Sequence, residues 1–178
     1  IDDPAIVRQI IARAQTVDGG VVDVYPIAAV TKGREGKELA PMLELAEAGA
    51  VGFTDDGAPV EQAEIMRRAL EYASMVGRPV IQHAEEICLT KGGAMNEGLV
   101  STSLGLPPMP SVAEEIVVAR DLLLVEYCSA QYHVAHISTA GAVALVRSAK
   151  AKKLPVTCEV TPHHFTLSDE EVRGYDTN

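Results

Sequence analysis

The chain has 178 residues, which is ample for one hydrophobic core but short of the about 250 residues that a closed eight-stranded α/β barrel typically needs. It holds 15 Lys and Arg against 25 Asp and Glu, a formal net charge of −10, and this excess of acid argues against nucleic-acid or anionic-membrane partners, which bind basic surfaces. The sequence shows no charged-then-apolar leader and no apolar run near the roughly 20 residues of a membrane span, so we expect a cytoplasmic protein.

Helix and strand signals alternate along the chain from its first residues. Asp3 before Pro4 is a helix-start signal, and apolar residues at helical spacing follow it, which predicts a helix over residues 3–17. Four more helices are predicted over residues 39–48, 60–76, 111–127 and 139–153. Five apolar runs predict strands over residues 21–31, 50–56, 79–85, 132–138 and 155–161.

A long connection over residues 87–110 interrupts this alternation. It is rich in glycine and proline, and a connection of this length in a compact unit is usually functional or an insertion. Its stretch 91–98 is predicted to be a flexible loop over the edge of the sheet, in the position of a lid. Ser111 with Glu114 then predicts a capping box at the start of the next helix, and Ser168 with Glu171 predicts a second cap.

The alternation of strands and helices predicts a parallel sheet with right-handed helical crossovers. No linker of biased composition divides the chain, so residues 1–178 are predicted to belong to a single α/β domain. The carboxyl ends of parallel strands meet at one edge of a sheet, and this is the edge where α/β barrels carry out their chemistry.

Three of the predicted strands end on residues that can hold a metal ion, namely Asp56, His83 and His136. They lie far apart in the sequence, but parallel strands would bring them to the same edge. Two neutral imidazoles and a carboxylate, with a position left for water, suit a hydrolytic zinc ion. Such an ion lowers the pKa of its water towards neutrality and polarises a carbonyl group, which is the chemistry of amide or ester hydrolysis.

Each of these residues also has an ordinary explanation when it is taken alone. A histidine at a strand end is often a hydrogen-bonded packing residue, and Asp55 and Asp56 before Gly57 are typical of a turn. The pair His163-His164 is either solvated or part of the site. The joint occurrence of three ligand types at three strand ends is what favours a metal site.

Further side chains are candidates to support the ligands or to contact a substrate: Asp55, Glu85 and His164. A carboxylate such as Asp55 or Glu85 can orient an imidazole through its other nitrogen. His133 lies on the same predicted strand as His136. Their odd offset puts them on opposite faces of an ideal strand, so His133 is predicted to be structural.

Other chemistries have less support. No GxGxxG or GxxxxGK[ST] loop follows a predicted strand, and there is no GxSxG turn. The 3 cysteines include no closely spaced pair, which predicts free thiols rather than a disulfide framework or a Cys-rich zinc site.

The segments that carry the candidate ligands resemble the amidohydrolase superfamily and, within it, the bacterial type I dihydroorotases. The resemblance covers nearly the whole chain, and its motifs follow one another in the right order and spacing. These segments are GFTDDG at 52–57, VIQHAEE at 80–86, NEG at 96–98, PSVAEEIVVARDLLL at 110–124, HVAHIST at 133–139 and VTCEVTPHH at 156–164.

This resemblance implies a distorted (β/α)8 barrel of the TIM type, of which the chain supplies about the third to seventh strands. It implies that Asp56 is a carboxylate shared by two zinc ions, and that His83 and His136 hold the second ion. Related hydantoinase-like enzymes generally have a carboxylated lysine where this chain has Asp56. The aspartate therefore favours the dihydroorotase branch over hydantoinases and allantoinases.

The implied reaction is the reversible hydrolysis of L-dihydroorotate, a cyclic amide, to N-carbamoyl-L-aspartate in pyrimidine biosynthesis. The family's remaining ligands and its proton-shuttling aspartate would lie before Ile1 and after Asn178. We therefore expect this chain to be the central part of a longer protein, and to be inactive on its own. The expected partner is the small-molecule substrate, and a homo-oligomer and aspartate transcarbamoylase are further candidates.

Two alternatives stay open at this point. One is a catalytically silent relative that serves as a scaffold subunit for aspartate transcarbamoylase. The other is a different cyclic amidohydrolase with the same barrel.

Overall fold

A computed structural model describes residues 1–175 of the chain. The helices are α1 (Pro4–Thr16), α2 (Met42–Glu47), α3 (Ala63–Met75), α4 (Ile87–Thr90), α5 (Leu99–Leu104), α6 (Val112–Cys128), α7 (Ala140–Ala151) and α8 (Pro162–Thr166). The strands are β1 (Ile27–Ala28), β2 (Gly52–Thr54), β3 (Val80–Gln82), β4 (Met95–Asn96), β5 (Pro108–Met109), β6 (Tyr132–Val134) and β7 (Val156–Cys158). All five predicted helices are present, as α1, α2, α3, α6 and α7.

Five parallel strands form the main sheet, in the order β1-β2-β3-β6-β7. Helices α2, α3, α6 and α7 lie in the connections between successive strands. The predicted α/β class with a parallel sheet is therefore confirmed. Because the strands run in one direction, their carboxyl ends lie at one edge of the sheet.

One face of the main sheet is buried and the other is not. Four residues, one from each of the neighbouring strands β2, β3, β6 and β7, lie side by side across the sheet and belong to the buried core, together with residues of α3, α6 and α7. These strand residues are Phe53, Val80, Tyr132 and Val156. The row between them, Ile81, His133 and Thr157, is partly or fully exposed on what we call the open face of the sheet.

The predicted strand over residues 21–31 is wrong for most of its length. Only Ile27–Ala28 pairs as a strand, and Val21 and Val22 are exposed to solvent. Pro26 has no N–H to donate to a ladder. Within the described range the residues before it belong to no strand, and residues 21–25 are exposed, whereas residues 28–31 are buried.

The connection over residues 87–110 is more ordered than its glycines predicted. It contains α4, α5 and a separate two-stranded parallel sheet of β4 and β5. A Cβ at Gly93 would overlap the Met109 side chain and lie 3.0 Å from the carbonyl oxygens of Thr90 and Pro108. This glycine marks a close approach of the backbone rather than a flexible loop, and the function of the connection as a lid stays a prediction.

Neither predicted cap forms. Ser111 has a helical backbone before α6, and its hydroxyl donates to Asn96 Oδ1 at 3.3 Å instead of capping the helix. Glu114, the residue predicted to pair with Ser111, instead accepts hydrogen bonds from the backbone N–H groups of Ser138 and Thr139, directly before α7. Ser168 makes no capping hydrogen bond with the 3-10 turn Asp169–Val172 that follows it.

Within residues 1–175 no helix has the length and apolar character that crossing a membrane requires.

Candidate metal centre

Asp56, His83 and His136 meet at the carboxyl edge of the main sheet. They follow β2, β3 and β6 respectively, and these three strands are neighbours. Asp56 Oδ1 lies 3.1 Å from His136 Nε2 and 3.3 Å from His83 Nδ1, and the two ring nitrogens are 3.2 Å apart. The structure thus brings together the three residues that the strand ends predicted, in a group that can hold a metal ion.

The spacing of the three donor atoms fits a tetrahedral ion. Zinc binds nitrogen and oxygen at about 2.0–2.2 Å, which separates the ligand atoms of a tetrahedral site by about 3.4 Å. The observed separations of 3.1, 3.2 and 3.3 Å are close to that value. The three donors therefore match one face of a tetrahedron, with the fourth position left for water or a substrate.

His83 is held in the orientation that a ligand needs. Its Nε2 lies 2.9 Å from Glu85 Oε2, and since an ionised carboxylate only accepts, Nε2 carries the proton. The lone pair of Nδ1 then faces the other two donors. Burial raises the pKa of Glu85, but hydrogen bonds from Thr90 and His83 outweigh burial and hold this pKa below its usual value.

Asp56 is positioned by its backbone and is ionised. Its N–H donates to Thr54 Oγ1 at 3.0 Å, and its carbonyl oxygen accepts from the Arg34 guanidinium at 2.8 Å. Burial raises the pKa of Asp56, but hydrogen bonds from His136 and from the Gly57 N–H, with the charges of both imidazoles, bring this pKa below its usual value. At neutral pH the group is a carboxylate, as a metal ligand must be.

His136 reaches the centre through an unusual backbone conformation. Strand β6 ends at Val134, which is buried on the helix side of the sheet, and strict alternation would send His136 to that side too. A φ of 35° places His136 in the left-handed region instead. The side chain of His136 therefore does not follow the alternation of an ideal strand.

His133 lies on the open face, with Nδ1 2.7 Å from Thr157 Oγ1, outside the group of donors.

Asp55 serves the fold rather than an imidazole. It is 2% exposed, and its Oδ1 accepts from the N–H groups of Val30 and Thr31 at 2.9 and 3.1 Å. Its Oδ2 accepts from the Thr31 hydroxyl. Of the two carboxylates expected to orient an imidazole, Glu85 therefore contacts one and Asp55 does not, because both oxygens of Asp55 are bonded to Val30 and Thr31.

Two of the three donors, His83 and His136, line a cleft of about 860 Å³ that is also lined by His164. The ring of His164 is packed edge-on against His163, with centroids 4.4 Å apart. Burial, and then the neighbouring His163 and His136, lower the pKa of His164, so its imidazole is neutral at pH 7. It lies outside the group of three donors, and its place on the substrate side stays a prediction.

Sequence reasoning missed the function of Glu114, whose carboxylate accepts hydrogen bonds from Ser138 and Thr139 at the start of α7. The pattern Ser111 to Glu114 pointed to a local cap, and a bond between residues 24 positions apart leaves no local signal. Two hydroxyl residues directly after the predicted ligand His136 were the only clue in the sequence, and they do not point to Glu114.

A family model described as Dihydro-orotase-like matches residues 5–142 of the chain. A dihydroorotase of Pelobacter propionicus is 52% identical over 178 residues, which cover 100% of this chain and 42% of that protein. A dihydroorotase of Pelotomaculum thermopropionicum is 58% identical over 159 residues, which cover 89% of this chain and 37% of that protein. The chain thus spans about two fifths of the length of these relatives.

Solved structures of lower identity share the fold. A dihydropyrimidinase from Brevibacillus agri aligns with a TM-score of 0.62 at 20% identity, over 96% of this chain and 39% of that one. A D-hydantoinase aligns with a TM-score of 0.57 at 24% identity, over 73% of this chain and 30% of that one. The predicted fold, part of an amidohydrolase-type barrel, is confirmed by these likenesses.

Proposed function

This chain belongs to the dihydro-orotase-like family, and from that membership we propose that it is the central part of a single barrel domain in a zinc-dependent dihydroorotase. The complete protein would hydrolyse the cyclic amide of L-dihydroorotate reversibly to N-carbamoyl-L-aspartate, a reaction of pyrimidine biosynthesis in the cytoplasm. The observation that carries this proposal is the convergence of Asp56, His83 and His136 on one point, with spacings close to those of a tetrahedral ion.

In this proposal Asp56, His83 and His136 hold zinc, and Asp56 is shared between two ions. Zinc at this place supplies Lewis acidity towards an amide carbonyl and lowers the pKa of water. Glu85 keeps the proton of His83 on Nε2, so that Nδ1 is free to bind. His164, neutral and inside the cleft, is the candidate for a hydrogen bond to the substrate.

The same observation weighs against the silent scaffold. A subunit that only supports aspartate transcarbamoylase has no need of two imidazoles and a carboxylate within hydrogen-bonding distance of one another. Against another cyclic amidohydrolase, the resemblance of the GFTDDG segment and the aspartate at position 56 support a dihydroorotase.

The test is zinc content and dihydroorotate hydrolysis, measured on the same samples of the complete protein. We expect Asp56→Ala and His136→Ala to lose zinc and turnover together, because each removes one of three ligands of the same ion. His133→Ala is the matched control, since it removes a histidine of the same strand that lies outside the donor group, and it should keep zinc. A wild-type protein with neither zinc nor turnover would instead support the scaffold.

A further inference from the structure

The carboxylate of Glu114 joins the start of α6 to the start of α7 at the edge of the cleft. Its Oε1 accepts hydrogen bonds from the Ser138 N–H at 2.8 Å and from the Ser138 hydroxyl at 3.0 Å. Its Oε2 accepts from the Thr139 N–H at 2.9 Å and from the Thr139 hydroxyl at 2.5 Å. One side chain therefore holds two successive residues, each by its backbone and its hydroxyl.

These residues come directly after the turn that presents His136. The N–H of Ala135 donates to the Gln82 carbonyl at 3.1 Å, and the N–H of Ile137 donates to the Glu159 carbonyl at 2.9 Å. The flanks of His136 are thus tied to the ends of the neighbouring strands. A non-glycine residue stays in the left-handed region only where its surroundings enforce that conformation.

Beyond Ile137 the chain has to enter α7 at once, and Glu114 fixes it there. A bond to Ser138 or Thr139 alone would allow the segment to pivot, whereas two oxygens bound to two residues fix both its position and its direction. Thr139 already caps α7 through its own hydroxyl, which accepts from the Ala142 N–H at 3.2 Å. Capping therefore does not account for all the bonds of Glu114.

We propose that Glu114 is a positioning residue of the metal centre, which holds the turn after β6 so that His136 Nε2 faces Asp56 and His83. Within residues 1–175 Glu114 makes no hydrogen bond with any of these three ligands, so it acts through the backbone of Ser138 and Thr139. This inference rests on the proposed metal function, because positioning matters only if the three donors bind an ion.

The next residue, Glu115, provides a matched control. It is partly buried like Glu114, and its carboxylate lies against Gly141 in the first turn of α7. Within the described part of the chain the carboxylate of Glu115 accepts no hydrogen bond, and its backbone N–H donates to the Ser111 carbonyl at 3.4 Å. Glu115→Gln therefore removes the same charge near the same helix end without releasing the turn.

The experiment compares wild type, Glu114→Gln, Glu114→Ala and Glu115→Gln in the complete protein. Zinc affinity is measured by competition with a chromophoric chelator, and the histidine ring nitrogens of the metal-free protein are followed by NMR. We expect both Glu114 variants to bind zinc about 10- to 100-fold more weakly, the range for residues that orient a ligand. The glutamine keeps one acceptor oxygen, so its loss should be the smaller. Glu115→Gln should match wild type.

Thermal unfolding of the metal-free variants separates positioning from capping. Variants with wild-type zinc affinity and unchanged ring signals, but a lower unfolding temperature, would overturn the proposal and leave Glu114 as a helix cap. If wild type itself binds no zinc, the proposed function fails, and the ring signals of metal-free Glu114→Gln still decide: a displaced His136 signal supports positioning, and an undisplaced one overturns it.

Discussion

Asp55 and Asp56 are neighbours in the chain, directly after the end of β2, but their carboxylates have different partners. Asp55 is buried and binds the backbone of Val30 and Thr31. Asp56 is exposed, and its Oδ1 lies 3.1 Å from His136 Nε2. One carboxylate thus holds the end of β1 in place, and the other is available for a metal ion.

We expect Asp55→Asn to lower the free energy of unfolding by about 1–3 kcal/mol, because the amide has one acceptor oxygen where the carboxylate uses two, and a buried donor loses its partner. Urea denaturation of the metal-free protein measures this. Asp56→Asn is the control, and it should weaken zinc binding with little change in unfolding. Equal stability of Asp55→Asn and wild type would contradict the function assigned to Asp55.

The sequence predicted the site where local rules suffice. Asp56 and His83 follow short buried strands, so parallel alternation places them at the same edge. The orientation of His136 was not predictable, because its φ of 35° depends on contacts with other strand ends. The four hydrogen bonds of Glu114 were missed for the same reason, because they join α6 to the residues directly before α7 and so leave no pattern within a single helix.

At the scale of elements, α6 carries one charged pair into the core. Asp121 is fully buried and accepts from the Tyr132 hydroxyl at 2.7 Å and from Arg120 Nε at 2.8 Å. The Arg120 guanidinium also donates to the carbonyl oxygens of Val60, at 2.8 Å, and Glu61. Through this pair α6 is bonded to β6 and to the segment between β2 and α3.

Burial raises the pKa of Asp121 from 3.8 to about 6, against the charge of Arg120 and the hydrogen bond from Tyr132. A folded-state pKa above the unfolded value means that the native state binds the proton more tightly. The stability gained from that proton is complete below about pH 4 and is lost as pH rises through about 6.

We therefore expect Asp121→Asn to gain stability relative to wild type as pH rises from about 4 to about 6, by about 1–3 kcal/mol. The measurement is urea denaturation of both proteins at several pH values, with the difference in unfolding free energy plotted against pH. A difference that does not change across this range would contradict a raised pKa at Asp121. Glu126→Gln is the control, since this exposed glutamate on the same helix forms a salt bridge, within residues 1–175, with Lys152 alone.

Helices were easier to predict than strands in this chain. Helix α3 has one apolar face and one charged face over its 13 residues, whereas the longest strands of the main sheet contain 3 residues. Such short strands give few positions for a pattern, and the run at 21–31 looked like a strand because nothing local shows whether a partner strand exists. The connection at 87–110 is ordered by pairing between β4 and β5, which its glycines did not reveal.

At the scale of the whole molecule, the open face of the sheet differs from the face covered by helices. It carries Ile81, His133 and Thr157, which line a groove of about 610 Å³. The chain spans about two fifths of the length of its relatives. An exposed sheet face and exposed strand edges favour association between copies, so purified 178-residue chain should form oligomers or aggregates in size-exclusion chromatography.

We expect that purified chain to bind zinc weakly and not to hydrolyse dihydroorotate. Three donors meet in it, Asp56, His83 and His136, and the resemblance places the remaining ligands and the proton-shuttling aspartate elsewhere in the protein. A single ion held by three ligands lacks the group that moves the proton, so binding without turnover is the expected combination. Zinc stoichiometry and hydrolysis, measured beside the complete protein in the same buffer, test this. Full turnover by the isolated chain would show that all the groups needed for the reaction lie within these 178 residues.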